Sequence, residues 1–218
     1  MDIRRYFNVV KQPVNFFKIS NDINNDISID NVSKDNVSKD NVSSEKFSCL
    51  QSSDIIVYTD GSAINNGKKN CYGGIGVFFG DNDLRNISER LPDGKASNNV
   101  AELTACLRAI EIIVNDNYNN SKIIICTDSE YMINCITVWC HSWQKNNWQR
   151  NVKGKNKPIK NLEIIRKIKS YVDKYKIIFK HIRSHKTPPK DTSSLEYKDW
   201  YGNDMADNLA KQGAEIKL

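Results

Sequence analysis

The chain has 218 residues, with 32 Lys and Arg against 26 Asp and Glu, a formal net charge of +6 and six cysteines. That length allows one domain of roughly 150 residues plus a tail, enough to bury a core without disulfides. The cysteines form no Cys-x-x-Cys pair and match no zinc spacing, and no apolar run is long enough to cross a membrane as a helix. Disulfide scaffold, zinc module and transmembrane classes are therefore set aside, and a reducing, intracellular setting is expected.

The charge is unevenly placed. Residues 1–50 carry seven basic and seven acidic side chains, so the whole excess lies in residues 51–218. Between 145 and 169 there are nine Lys or Arg against Glu163 alone, with Trp143 and Trp148 close by. A lysine-rich surface can serve solubility alone, but a net +8 over 25 residues beside indoles suits a polyanion better.

In chain order, residues 1–11 form a short apolar terminus, and 12–52 read as a disordered, low-complexity linker. Inside that linker Asp30-Asn-Val-Ser-Lys34 recurs as Asp35-Asn-Val-Ser-Lys39 and Asp40-Asn-Val-Ser-Ser44, a five-residue period that suits neither helix nor strand burial. A folded domain over 53–218 follows. Its first strand, Asp54-Ile-Ile-Val-Tyr-Thr-Asp60, is apolar, β-branched and ends on an acid. A turn-rich loop leads to a second strand, 71–79, whose glycines permit a backbone or ligand to approach closely. A hairpin at 81–83 and a third strand, 84–91, complete an antiparallel meander.

Leu103, Leu107, Ile110 and Val114 recur at helical spacing and predict a helix over 98–114. A fourth strand, 122–127, ends in Thr127-Asp128, and a short helix runs from there through Ile136. After the basic stretch come a helix over 162–172 with Asn161 as N-cap, a fifth strand over 176–182, a polar loop and a last helix over 203–216. The implied fold class is α/β: a five-stranded mixed sheet, three antiparallel strands then two parallel, with helices on both faces.

Four acids occupy suggestive places. Asp60 and Asp128 end strands, Glu102 lies in the first turn of the long helix, and Asp207 lies among alanines in the last helix. Taken singly, Glu102 has a helix-dipole reading and Asp207 that of an exposed acid. The strand-end aspartates are harder to dismiss, because buried strand ends rarely carry unpaired charge. If all four converge they need a cation, and an all-oxygen donor set with few histidines favours Mg²⁺ or Mn²⁺ over zinc. Two such ions ~4 Å apart would activate water and stabilise the leaving oxygen of a phosphodiester. His185, in the loop after the fifth strand, has the chemistry of a proton shuttle, and equally that of a plain loop histidine.

Thr59-Asp-Gly-Ser62, Asn99-Val-Ala-Glu-Leu103, Cys126-Thr-Asp-Ser-Glu130 and Gly202-Asn-Asp-Met-Ala-Asp-Asn-Leu-Ala210 resemble the four ordered motifs of type 1 ribonuclease H. The resemblance spans about residues 54–215. It implies the ribonuclease H-like fold and cleavage of the RNA strand of RNA/DNA hybrids by two metal ions, leaving 5′-phosphate and 3′-hydroxyl ends. RNA primers or R-loops at replication would be its targets, in the nucleus or at a cytoplasmic replication site, with the chain a monomer. Asp60, Glu102, Asp128 and Asp207 are then the catalytic metal ligands, His185 assists turnover, and Asp204 is the neighbour to be told apart from Asp207. The alternatives are an inactive hybrid-binding or clamp-associated module, or another nuclease of this fold, of resolvase or integrase type.

The same resemblance assigns the substrate contacts. Trp139, Trp143, Trp148 and Lys157 belong to the family's basic protrusion, which grips the DNA strand, and Tyr131 joins the DNA channel. For Trp139, core packing is the competing reading. Ser97 and Asn161 match a DNA-phosphate pocket in which Lys95 stands where an arginine is usual, losing the bidentate fork. Asn66, Asn98 and Asn99 match minor-groove readers, whose amides donate and accept as 2′-hydroxyl recognition requires. The loop from His185 to Asn203 is longer than in compact bacterial members. At the N-terminus, Ile3-Arg-Arg-Tyr-Phe7 resembles a sliding-clamp-binding peptide with Ile3, Tyr6 and Phe7 as its plug, lacking the usual glutamine.

Overall fold

The computed structural model describes residues 54–217, apart from 93, 95, 117, 119, 185 and 186. Ile3, Tyr6, Phe7, the linker, Lys95 and His185 therefore lie outside the described residues. The strands are β1 (Ile55–Ile64), β2 (Tyr72–Phe78), β3 (Ile87–Arg90), β4 (Ile123–Thr127), β5 (Gln149–Val152), β6 (Lys155–Pro158) and β7 (Ile177–His181). The helices are α1 (Asn98–Asn115), α2 (Glu130–Asn134), α3 (Cys140–Lys145), α4 (Leu162–Lys174) and α5 (Leu195–Glu215). The main sheet runs β3-β2-β1-β4-β7, antiparallel across β1–β2–β3 and parallel across β1–β4–β7, as the sequence implies.

β1 does not stop at Asp60. Its parallel ladder with β4 ends at Tyr58↔Cys126, but its antiparallel ladder with β2 continues to Ile64↔Tyr72. Asp60 therefore sits mid-strand, opposite Gly76, where the neighbour on its other side has already departed. Non-local pairing overrides the stop signal of an acid followed by glycine. Extending the β1–β4 register by two residues sets Asp60 level with Asp128, so both lie just beyond the carboxyl end of a parallel pair, where open α/β sheets bind ligands.

α1 is capped by Ser97, whose Oγ accepts from the Val100 N–H at 3.3 Å. It buries Leu103, Leu107, Ile110 and Ile113, each worth about 1.5–3 kcal/mol of transfer free energy. Because the helix starts at Asn98, Glu102 lies in its second turn, not its first, and the dipole reading falls away. Arg108 pairs with Glu89 of β3 at 2.8 Å and Lys167 of α4 with Glu111 at 2.5 Å, fixing α1 against both. α5 crosses the other side of the sheet, and the β2 glycines explain its closeness. A Cβ on Gly76 would stand 2.0 Å from the Ala206 carbonyl oxygen, and one on Gly74 2.1 Å from the Ala214 nitrogen. The glycines thus admit a backbone, that of α5.

Four local expectations change. α5 begins at Leu195, about two turns before 203, because Ser194 caps it by accepting from the Tyr197 N–H at 3.0 Å. Residues 130–145 form one helical rod, α2 and α3 joined through a π-helical turn over 135–139. The basic stretch folds into a β5–β6 hairpin whose turn residues, Lys153 and Gly154, have φ of 51° and 74°, as a two-residue hairpin turn requires. Asn161 precedes α4, at φ 59°, but does not cap it with its side chain. Cys71, Cys106, Cys126, Cys135 and Cys140 are free and buried. No helix of the described residues is long and apolar enough to cross a membrane.

Candidate active site

Four elements deliver carboxyl groups to one cleft. β1 brings Asp60, which is only 7% exposed. α1 brings Glu102 beside it, because Gly61 lets the first turns of the helix press on the strand. β4 ends at Thr127, whose Oγ1 accepts from the Ser129 N–H at 3.1 Å, and Ser129 in turn caps α2. Asp128 is held in that short link. Oxygens of Asp60, Glu102 and Asp128 all lie within 4.8 Å of one another. Asp207 stands outside that trio but near enough for its charge to bear on Asp60, and Lys211 Nζ, one turn on, donates to it at 2.5 Å. Asp204 is exposed and accepts from the Asn208 amide at 3.1 Å. The cleft is about 430 Å³ and is also lined by Asn98, Arg183, Trp200 and Asn203.

Residues 52–215 match the family model of RNase H. The chain belongs to the RNase H family. It is similar to the ribonuclease H of Schizosaccharomyces pombe, 35% identical over 159 residues covering 73% of this chain and 52% of that protein. It is also similar to the ribonuclease H of Rickettsia typhi, 32% identical over 166 residues, 76% of this chain and 94% of that protein. The chain thus spans about half the length of the fission yeast relative and most of the bacterial one. Among solved structures it resembles the foamy viral protease–reverse transcriptase in complex with an RNA/DNA hybrid. The TM-score is 0.56 at 26% identity, over 73% of this chain and 20% of that one.

The RNase H carboxyl cluster has an electrostatic consequence. Burial pushes the Asp60 pKa up to about 7, and the Asp128 and Asp207 charges add to it. Burial likewise raises Glu102, to about 10, with Asp60 and Asp128 reinforcing the shift. Crowding of like charges adds to burial, so without a cation Asp60 and Glu102 hold their protons more tightly than free carboxyl groups. Glu102 Oε2 is buried with no hydrogen-bond partner, a lone pair aimed at nothing in the protein. An all-oxygen donor set with an orphaned carboxylate oxygen fits a hard divalent cation such as Mg²⁺ or Mn²⁺. Asp60, Glu102 and Asp128 would hold it, with Asp207 adjoining.

A titration prediction follows. Folded pKa values above the unfolded ones mean the folded state binds protons more tightly, so this contribution is full below the unfolded carboxyl pKa. It is lost as pH rises through about 7 for Asp60 and about 10 for Glu102. Cation-free melting temperature should fall across that window, and binding of Mg²⁺ near neutral pH should release protons. Calorimetry in buffers of different ionisation enthalpy checks this; buffer-independent heats would count against it.

The substrate-contact residues fall into separate groups. Tyr131, Trp139 and Trp143 form a ring row, with centroids 6.0 and 5.9 Å apart, and Trp139 is 39% exposed, more than core packing allows. Trp148 stands apart from that row, with the Arg166 guanidinium 5.2 Å from its ring centroid. Lys157 is exposed on the hairpin opposite Arg150. Asn66, Asn98 and Asn99 are exposed, but of these only Asn98 lines the cleft. Sequence reasoning passed over Arg183, Trp200 and Asn203. The signal for Asn203 was available, since it precedes Asp207 by one helical turn and shares its face.

Proposed function

We propose that the chain is an endoribonuclease that hydrolyses the RNA strand of RNA/DNA hybrids, with two divalent cations, in the first place Mg²⁺, at the carboxyl cluster. The observation that carries this reading is the convergence of Asp60, Glu102 and Asp128 within 4.8 Å at the open end of β1 and β4. Divalent cations, when bound, would make water a better nucleophile at neutral pH and neutralise charge at the leaving 3′ oxygen. The protein's own share is positioning. The half-exposed Tyr131–Trp139–Trp143 row offers ring faces for deoxyribose, which a 2′-hydroxyl would crowd, and the hairpin lysines and Arg150 meet phosphates. Asn98, on the cleft, can both donate to and accept from a 2′-hydroxyl. The foamy viral relative's complex with a hybrid agrees with this substrate class. Hybrids at RNA primers or R-loops are the targets such an activity would clear.

The test uses the full chain with end-labelled RNA/DNA hybrid, duplex RNA and duplex DNA. With Mg²⁺ the hybrid's RNA strand should be cut to 5′-phosphate and 3′-hydroxyl products and the duplexes spared, and EDTA should stop the reaction. Duplex DNA cut as fast as the hybrid would favour a resolvase-type nuclease, and a hybrid that survives both Mg²⁺ and Mn²⁺ would favour a binding module.

A further inference from the structure

Five carboxyl groups line the cleft: Asp60, Glu102, Asp128, Asp204 and Asp207. Such a wall offers a phosphodiester backbone no positive charge of its own. Among the described residues lining it, one cation is present, Arg183. The sheet fixes where it stands. His181 is in register with Thr127, and the Ile182 N–H donates to the Thr127 carbonyl at 2.9 Å. Ile182 itself is buried. Chain beyond that anchor therefore leaves the sheet beside Asp128, on the rim where both aspartates emerge.

Arg183 is exposed, and among the described residues no hydrogen bond or ion pair holds it. Nearby lysines behave differently: Lys211 is tied to Asp207 and Lys180 to Asp199 at 2.6 Å. An arginine placed to neutralise the cluster would pair with one of those acids. This one keeps its planar fork unspent, which matches the two oxygens of a phosphate better than an ammonium does. Trp200 stands on the same wall. It borders the cleft and also a smaller hollow of about 190 Å³, and Arg183 borders both as well. Because α5 starts at Leu195, Trp200 lies in its second turn rather than in a loop, so the wall is built on a helix.

We propose that Arg183 is a positioning residue that binds an RNA-strand phosphate flanking the one that is cut. This rests on the hybrid-cleavage reading of the same cleft. The phosphate being cut falls to the carboxyl cluster and its cations; the unpaired guanidinium, at the rim beside Asp128, takes its neighbour along the same strand. Held there, the strand keeps its register on the cluster.

The experiment measures binding of the full chain to a short RNA/DNA hybrid in EDTA across a salt series, alongside cleavage in Mg²⁺. Arg183→Ala should weaken binding and lower the slope of log affinity against log salt by about 1, the mark of one lost phosphate contact. Arg183→Lys should restore the slope but not the full affinity. Hybrids carrying one methylphosphonate each along the RNA strand locate the contact. The wild type should lose affinity at one position flanking the cut, and Arg183→Ala should be indifferent there. An unchanged slope and affinity in Arg183→Ala overturns the inference, as does a coupled position on the DNA strand. If the wild type does not cut the hybrid at all, the activity itself fails; if it cuts and only the arginine variant is silent, this inference alone fails.

Discussion

Asp60→Asn is expected to lower the rate of hybrid cleavage by roughly three orders of magnitude or more while hybrid binding in EDTA stays close to wild type. Asp60 is the hub of the cluster: it shares the 4.8 Å group with Glu102 and Asp128, and the Asp207 charge bears on it as well. The amide keeps the shape and loses the charge that a divalent cation needs. Folding should respond in the opposite direction. At pH 8 the wild-type carboxyl is above its raised pKa of about 7 and carries a charge that burial and two neighbouring aspartates disfavour. Removing that charge should raise the cation-free melting temperature, and Mg²⁺ should then raise it further by less than in the wild type. A variant that still cleaves at wild-type rate, or that melts lower without cation and responds to Mg²⁺ as before, contradicts the assignment.

What could be read in the sequence followed from local chemistry. The apolar runs ending in Thr-Asp located β1 and β4, and the leucine and isoleucine spacing located α1, because burial imposes those periods directly. What escaped was decided by pairing across distance. Nothing near Asp60 says that β1 runs on to Ile64, since the reason lies in β2, eight residues beyond that end. The β5–β6 hairpin is almost wholly exposed, so its strands carry no apolar alternation, and only the Lys153-Gly154 turn marks it. The polar segment after Pro188-Pro189 hid the start of α5 because its cap, Ser194, resembles any loop serine. Arg183 carried no signal of its own: its placement depends on the β4–β7 register, which sets the end of one strand beside the end of another.

The close contact of strand and helix that builds the site also makes it vulnerable at a residue with no functional group. A Cβ on Gly61 would stand 2.3 Å from the Glu102 nitrogen and 2.4 Å from the Ala101 carbonyl carbon. Both are backbone atoms of α1, so no side-chain rotation relieves the clash, and Gly61→Ala must push the start of the helix off the strand. Overpacking of this kind costs about 1–3 kcal/mol, which for a domain of this size lowers the melting temperature by roughly 2–12 °C. The same displacement carries Glu102 away from Asp60. A misplacement of about 1 Å in a reacting constellation can cost about a hundredfold in rate, and that loss is expected here well below the melting temperature. Ile110→Val gives the comparison. It removes one methyl from a fully buried α1 side chain two turns further along, lowering stability without moving the helix start. If the Gly61 and Ile110 variants lose activity equally at matched stability, the close approach matters only for folding. If Gly61→Ala alone loses cleavage, and its Mg²⁺-induced stabilisation shrinks with it, then the spacing between β1 and α1 sets the spacing of the carboxyl groups.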